Sequence, residues 1–434
     1  MKSKREPGAK NLLLKGARLV DPVSETDKVL DILIEGDRIA KIGGSLPASG
    51  AEVLDLTGKV VCPGLIDMHV HLREPGYEHK ETIETGTLAA ATGGFTAVLA
   101  MPNTDPVCDN GSVVDFITQR AQETGSARVY VAGALSRGLK GEELAELAEM
   151  KRAGAVAATD DGEGTQSSAM MRRAMEYCRM LSLPVLAHCE DRELTENGQA
   201  NEGYNASVLG LKPHPKAAEE AMVARNITLC ELTGCALHVQ HVSSAGSLDL
   251  VRTAKAKGLS VTCEVTPHHL ILTDESLYGY DTNLKMNPPL REPEDIAALK
   301  EGLRDGTIDC IATDHAPHAQ EEKEVEFDLA PFGVIGLETA LPLILTELVK
   351  GGVLTLSEAV GKLSLAPARI LGIEGGAVRE GGLADLTVID PDAKFTPTRE
   401  NTVSMSKNSP FYGRELTGRA AMTIVGGRVV WAAP

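Results

Sequence analysis

Residues 63–76 read PGLIDMHVHLREPG. The apolar run from Leu65 to Val70 predicts a buried strand, yet it closes on His69, His71 and Arg73, three side chains poorly suited to a core. The same texture recurs downstream. TAVLAMPNT, ARVYVAGAL, AVAATDDG, LPVLAHCED, ALHVQHVSS, LSVTCEVTPHH and IDCIATDHAPH are each a short β-rich run that ends in polar residues. Most are separated by helical patterns such as EELAELAEMKRAG and DIAALKEGLRDG. Strand alternating with helix means a parallel sheet, and about eight such units mean an α/β chain closed into a (β/α)8, TIM-like barrel. No strand is followed by G-x-G-x-x-G, so nothing favours an open dinucleotide-binding sheet.

Outward from this middle, the two chain ends resemble each other. NLLLKGARLVD, KVLDILIEGDRIAKIGG and AEVLDLTGKVVCPG alternate like short strands, and GGLADLTVIDPDAKFTP and RAAMTIVGGRVVWAA repeat the style. Neither end has enough strands for a core alone, so both are expected in one small β-sandwich. The expected divisions are 1–62 and 373–434 for that β-domain and 63–372 for the barrel.

The 434 residues accommodate a barrel of roughly 250 residues and a second module. Formal charge is −18, which argues against nucleic acid or an anionic membrane as partner. Apolar stretches break well before the ~20 residues of a membrane span. MKSKREPGAK is basic without an apolar segment, so a disordered leader or cloning remnant is expected rather than a secretory signal. The eight cysteines form no C-x-x-C pair and several sit in apolar runs, which points to a reducing cytoplasm and no disulfide framework.

In a barrel of this kind the functional residues sit at the C-terminal strand ends. Those ends carry His69 and His71, Asn103, Asp160 and Asp161, His188, His241 and Asp314. Residues i and i+2 of a strand share a face, so His69 and His71 can reach one point above the barrel mouth. Imidazole and carboxylate suit zinc and similar divalent ions. One histidine at a strand end is ordinarily a hydrogen-bonded surface residue; four histidines with two carboxylates at one mouth favour metal. Six ligands exceed the needs of one zinc, and a pair of metals about 3.5–4 Å apart with a bridging carboxylate would use them all. Such a pair activates water and polarises a carbonyl, while a carboxylate moves the proton to a leaving nitrogen. The reaction class is metal-assisted hydrolysis of an amide-like bond. At this level Asp160 and Asp161 are not separable.

From about residue 12 onward, the motifs DMHVHLREPG, MPNT, TDDG, AHCED, QHVSS, TPHH, MNPPLR and DHAPH resemble those of dihydroorotases of the longer bacterial type, in the amidohydrolase superfamily. The resemblance implies the same barrel with a flanking β-domain from both ends. It implies one or two Zn2+ ions: His69 and His71 on the first, Asp161 bridging, and His188 and His241 on the second. Asp314 would be both a first-zinc ligand and the catalytic acid/base. Many amidohydrolases bridge with a carboxylated lysine; the shorter aspartate here would hold the second metal less firmly. The implied reaction is reversible hydrolysis of the ring amide of (S)-dihydroorotate to N-carbamoyl-L-aspartate, in pyrimidine biosynthesis.

Arg73 suits a substrate carboxylate, which a guanidinium binds in bidentate fashion. The resemblance gives Arg73, Asn103 and His318 to that carboxylate and Asn287 to the ring or its carbonyls. It adds His71, Leu72 and the Phe332–Gly333 turn as substrate contacts. Residues 319–333, AQEEKEVEFDLAPFG, are expected as a lid, with an acidic surface helix as the alternative. His268 and His269 are expected near or beneath the site without ligand duty. Lys212, His214 and Lys216 are expected in an exposed connection opening a helix at Pro215 that carries Arg225. Competing readings are an allantoinase or hydantoinase, and a noncatalytic scaffold for aspartate carbamoyltransferase; the filled ligand set disfavours the scaffold. A homodimer, and association with aspartate carbamoyltransferase, are family expectations.

Overall fold

The computed structural model describes residues 11–48 and 50–434, so the expectation for the basic leader lies outside the described residues. Five strands open the chain: β1 (Leu12–Asp21), β2 (Thr26–Glu35), β3 (Arg38–Gly43), β4 (Glu52–Asp55) and β5 (Val60–Pro63). The barrel strands follow as β6 (Leu65–Val70), β7 (Phe95–Ala100), β8 (Arg128–Ala134), β9 (Ala157–Thr159) and β10 (Val185–Ala187). A two-stranded excursion, β11 (Ala200–Asn201) and β12 (Pro213–His214), precedes β13 (Leu237–Val239), β14 (Val261–Val265) and β15 (Cys310–Ile311). The chain closes with β16 (Leu386–Phe395), β17 (Leu416–Val425) and β18 (Arg428–Ala432).

Strands β6 to β10 and β13 to β15 form one eight-stranded sheet in the order β15-β14-β13-β10-β9-β8-β7-β6, parallel at every pairing. A parallel bridge between Val70 and His315, with the His71 N–H donating to the His315 carbonyl at 2.8 Å, joins the last strand to the first. That closes the expected barrel. Every residue of β6 and β7 is buried, as parallel strands covered on both faces require. Met68, Leu99, Met101, Ala132, Leu186 and Cys310 pack together, and a larger apolar layer holds the helices outside.

The expected partnership of the two ends is also present. β5 pairs antiparallel with β16, with Val61 opposite Val388, inside one mixed eight-stranded sheet that also holds β1 to β4, β17 and β18. Leu14, Ile32, Ile34 and Val61 from one end meet Leu386, Val388 and Ile424 from the other in a single apolar cluster. Gly64 joins the two sheets; a Cβ there would lie 2.1 Å from Thr96 Oγ1, so only glycine lets the strands approach.

Among the described residues no helix is long and apolar enough to cross a membrane. All eight cysteines are free and buried. Helix Lys216–Thr233 does open after Pro215. His214, however, is buried rather than exposed, because β12 pairs with β11 and turns the side chain inward.

Candidate active site

Each site residue is delivered by a strand end. His69 lies in β6, His71 one residue beyond it, Asp161 two beyond β9, His188 one beyond β10, His241 two beyond β13 and Asp314 three beyond β15. Between Asp67 and Val70, β6 carries one residue more than the facing stretch of β7, a bulge that re-aims the strand where it delivers His69. Arg73, His241 and Asp314 all adopt positive φ, at 64°, 33° and 49°. Non-glycine residues held there are costly and gather at functional sites.

Asp161 is the hub. Its Oδ1 lies 3.3 Å from His69 Nε2, 3.7 Å from His188 Nδ1 and 3.9 Å from His241 Nε2, and its Oδ2 lies 3.5 Å from His71 Nε2. Asp314 Oδ1 sits 3.1 Å from His71 Nε2 and 3.5 Å from His69 Nε2. His188 Nδ1 and His241 Nε2 face each other at 2.8 Å. All six side chains are buried. The structure thus gathers the whole expected ligand set. Asp160 turns the other way, accepting the backbone N–H groups of His188 and Thr165.

This donor set fits divalent metal. His69 Nε2 and Asp161 Oδ2 are buried without a hydrogen-bond partner, a costly arrangement unless a cation lies between them. Donor atoms of His69, His71 and Asp314 lie within 4.8 Å of one another, as do those of His69, Asp161 and His241. Two such clusters sharing His69 suit one or two zinc ions.

The charges hold one another in place. Burial works against ionisation of Asp161, but His69, His71 and His188 keep its carboxyl well below the usual range. Asp314 is likewise held low against burial, by His69 and His71. Burial would depress His69, yet Asp161, Asp314 and Glu264 raise it well above an ordinary imidazole. Burial, with His188 and His69 nearby, lowers His241 to about 4. Metal ligands must be deprotonated, so a cation here displaces protons and its affinity falls with pH.

Around the ligands sits a ring of acceptors. His69 Nδ1 faces Glu264 Oε1 at 2.6 Å, His71 Nδ1 faces Asn103 Oδ1 at 2.8 Å, and His188 Nε2 faces Glu190 Oε2 at 3.1 Å. Such partners set which ring nitrogen is free for metal. Glu264 and Glu190 were not singled out from the sequence. The available signal was Glu264 in VTCEV, a carboxylate inside an apolar strand that burial requires to be paired.

The expected substrate contacts occupy the same mouth. Arg73 is buried; its Nε donates to the Pro317 carbonyl at 3.0 Å and its Nη2 lies 3.4 Å from His318 Nε2. It forms no salt bridge with a carboxylate among the described residues. Burial lowers it to about 10, which leaves it charged at neutral pH. His318 Nε2 meets the Phe332 carbonyl at 2.8 Å, and Leu72 is buried beneath. Asn287 donates to Glu190 at 2.7 Å, and its Oδ1 is buried without a partner. The Gly333 N–H donates to the Lys285 carbonyl at 2.9 Å, so that amide is already engaged. His269 Nε2 donates to the Pro288 carbonyl at 2.8 Å, and His268 and His269 are both buried beside the site. Arg225 braces the loop after Asp161 through the carbonyls of Thr165, at 2.7 Å, and Gln166, at 3.0 Å. Residues 319–333 open with a short helix, Gln320–Lys323, pinned by Lys323 Nζ on the carbonyls of Pro331, at 2.8 Å, and Gly333, at 3.0 Å.

Comparison with known proteins identifies the family of the chain. Residues 58–247 match the family model described as dihydro-orotase-like. The chain is 56% identical to a dihydroorotase of Pelotomaculum thermopropionicum, over 96% of this chain and 98% of the relative. It is 52% identical to one of Endomicrobium trichonymphae, over 97% and 99%. Among solved structures, the L-hydantoinase of Arthrobacter aurescens superposes with a TM-score of 0.88 at 27% identity, covering 97% of this chain and 96% of that one. The hydantoinase likeness is therefore one of architecture far more than of sequence. With half or more of its residues shared along nearly the full length of these relatives, the chain belongs to the dihydroorotase family, amidohydrolases that act on a cyclic amide.

Proposed function

We propose that the chain interconverts (S)-dihydroorotate and N-carbamoyl-L-aspartate by reversible hydrolysis of the ring amide. One observation carries the reading: Asp161 lies within 3.9 Å of all four histidines while Asp314 stands 3.1 Å from His71. In this reading His69, His71, Asp314 and Asp161 would hold a first zinc, and Asp161, His188 and His241 a second. Zinc, when bound, lowers the pKa of a coordinated water and polarises the carbonyl to be attacked. Asp314 takes the water's proton as the C–O bond forms and returns it to the ring nitrogen as the C–N bond breaks. Arg73, with Asn103 and His318, receives the substrate carboxylate. Asn287, Leu72 and the Phe332–Gly333 turn line the ring, and the 319–333 segment closes over it and excludes water.

The buried, unpaired Arg73 cation favours a substrate bearing a carboxylate over hydantoin, whose ring lacks one. Side-by-side turnover of dihydroorotate, hydantoin and allantoin tests this, together with zinc content before and after chelation and zinc return. Hydantoin turnover well above that of dihydroorotate would overturn the reading.

The same proposal extends to organisation. The domain boundary at 372/373 is supported by Gly372, in left-handed conformation, capping the helix Leu365–Leu371, while the one at 62/63 falls one residue before β5 ends at Pro63. Eight unpaired buried cysteines support a cytoplasmic location. The homodimer and the association with aspartate carbamoyltransferase rest on the family expectation, and sedimentation of the chain with and without that enzyme tests both.

A further inference from the structure

We infer that Glu264 is a positioning residue for the metal centre: it determines which ring nitrogen His69 presents and restrains the turn that carries His241. The inference rests on the ligand assignment proposed above.

Glu264 lies within β14 with none of its surface exposed. A carboxylate in a central strand of a parallel barrel is costly unless its oxygens are satisfied. Here both are. Oε1 accepts from His69 Nδ1 at 2.6 Å and more weakly from the His241 backbone N–H at 3.4 Å. Oε2 lies 3.2 Å from His238 Nε2, whose other nitrogen meets Thr262 Oγ1 at 2.8 Å. An ionised carboxylate only accepts, so the His69 proton is held on Nδ1. Nε2 faces Asp161 Oδ1 and Asp314 Oδ1, at 3.3 and 3.5 Å, and is the nitrogen whose lone pair is available once a cation displaces its proton. With the opposite tautomer, a proton would occupy the place the metal needs. The second contact reaches the other half of the centre, because His241 holds a φ of 33° that the bond to Glu264 helps maintain.

Glutamine has the shape of glutamate but an acceptor at only one end. Glu264→Gln therefore leaves either His69 or His238 without an acceptor, or drives the His69 proton to Nε2. The parent and Glu264→Gln chains, stripped of metal, are titrated with zinc against a chromophoric chelator, and unfolding of the metal-free chains is followed separately. The tighter-binding zinc of the variant is expected to dissociate roughly 10- to 100-fold more readily, with the coordination spectrum of the cobalt-substituted protein altered. Zinc affinity within about twofold of the parent, well short of the roughly 10-fold that losing such a partner costs at least, would overturn the inference. Should the variant fail to fold, nitrogen NMR of histidine-labelled parent decides. The His69 proton is expected on Nδ1 and zinc on Nε2; the reverse placement rejects the role of Glu264. Neither readout uses turnover. A chain that bound zinc through His69 Nε2 yet left dihydroorotate intact would sink the proposed function and leave this inference standing.

Discussion

Asp160 and Asp161 are adjacent in the chain and belong to different networks: Asp161 faces four histidines, while Asp160 accepts the His188 N–H at 3.0 Å and ties down the loop at Thr165. The two substitutions to asparagine should therefore separate. Asp161→Asn should lower bound zinc and reduce turnover by at least about 10²-fold, while leaving the metal-free fold largely intact. Asp160→Asn should cost about 1–3 kcal/mol of stability, because one of two buried N–H groups loses its acceptor. Zinc content by atomic absorption and denaturant unfolding distinguish the two.

Asp314 touches both histidines of the first cluster and is held ionised. Asp314→Asn should cut kcat by roughly 10²- to 10⁴-fold, the span of general acid–base catalysis, with unfolding little changed. A variant retaining near-parental kcat would remove Asp314 from the proton-transfer role.

Arg73 is a buried cation with no carboxylate salt bridge among the described residues, so its removal should act on binding of an anionic substrate. Arg73→Ala should raise KM for dihydroorotate by about 10- to 100-fold, the worth of a charge-assisted bond, with a smaller change in kcat. Dihydrouracil, which lacks the carboxylate, provides the control: its kcat/KM should fall far less.

Gly333 has a φ of 120°, and a Cβ added there would lie 2.7 Å from that of Ala316. Gly333→Ala should loosen the 319–333 segment. Limited proteolysis is expected to cut the variant faster than the parent within this segment, and bound dihydroorotate to protect the parent. Equal cleavage of the parent with and without ligand would argue against a closing lid.

His214 and His269 predict an acid limb in the stability profile. Burial lowers each from 6.5 to about 4. Between those values the unfolded chain binds more protons than the folded one, so stability is lost as pH falls through 6.5 towards 4 and is unaffected above that window. Each group contributes on the order of 3 kcal/mol at the acid end. In urea unfolding of the metal-free chain, His214→Gln should show a shallower decline over this range than the parent.

Much of the molecule is legible along the chain. The eight apolar runs ending in polar residues specify a parallel barrel, because a strand covered on both faces leaves a continuous apolar signature. The polar ends mark the catalytic mouth, and His69, His71, Asp161, His188, His241 and Asp314 all lie at or just beyond them. Tertiary structure alone decided the rest. It gave a physical reason for Asp161 over Asp160, which the chain separates only through the family motif, because two neighbours just past a strand end have no periodicity to tell them apart. It paired Glu264 with His69 across 195 residues and Asn287 with Glu190 across 97. It also buried His214 against a two-residue strand too short to leave a pattern. Local sequence reports which way a strand runs and which face is apolar; which side chains meet depends on how eight strand ends are rotated towards one axis, and only the closed barrel sets that rotation.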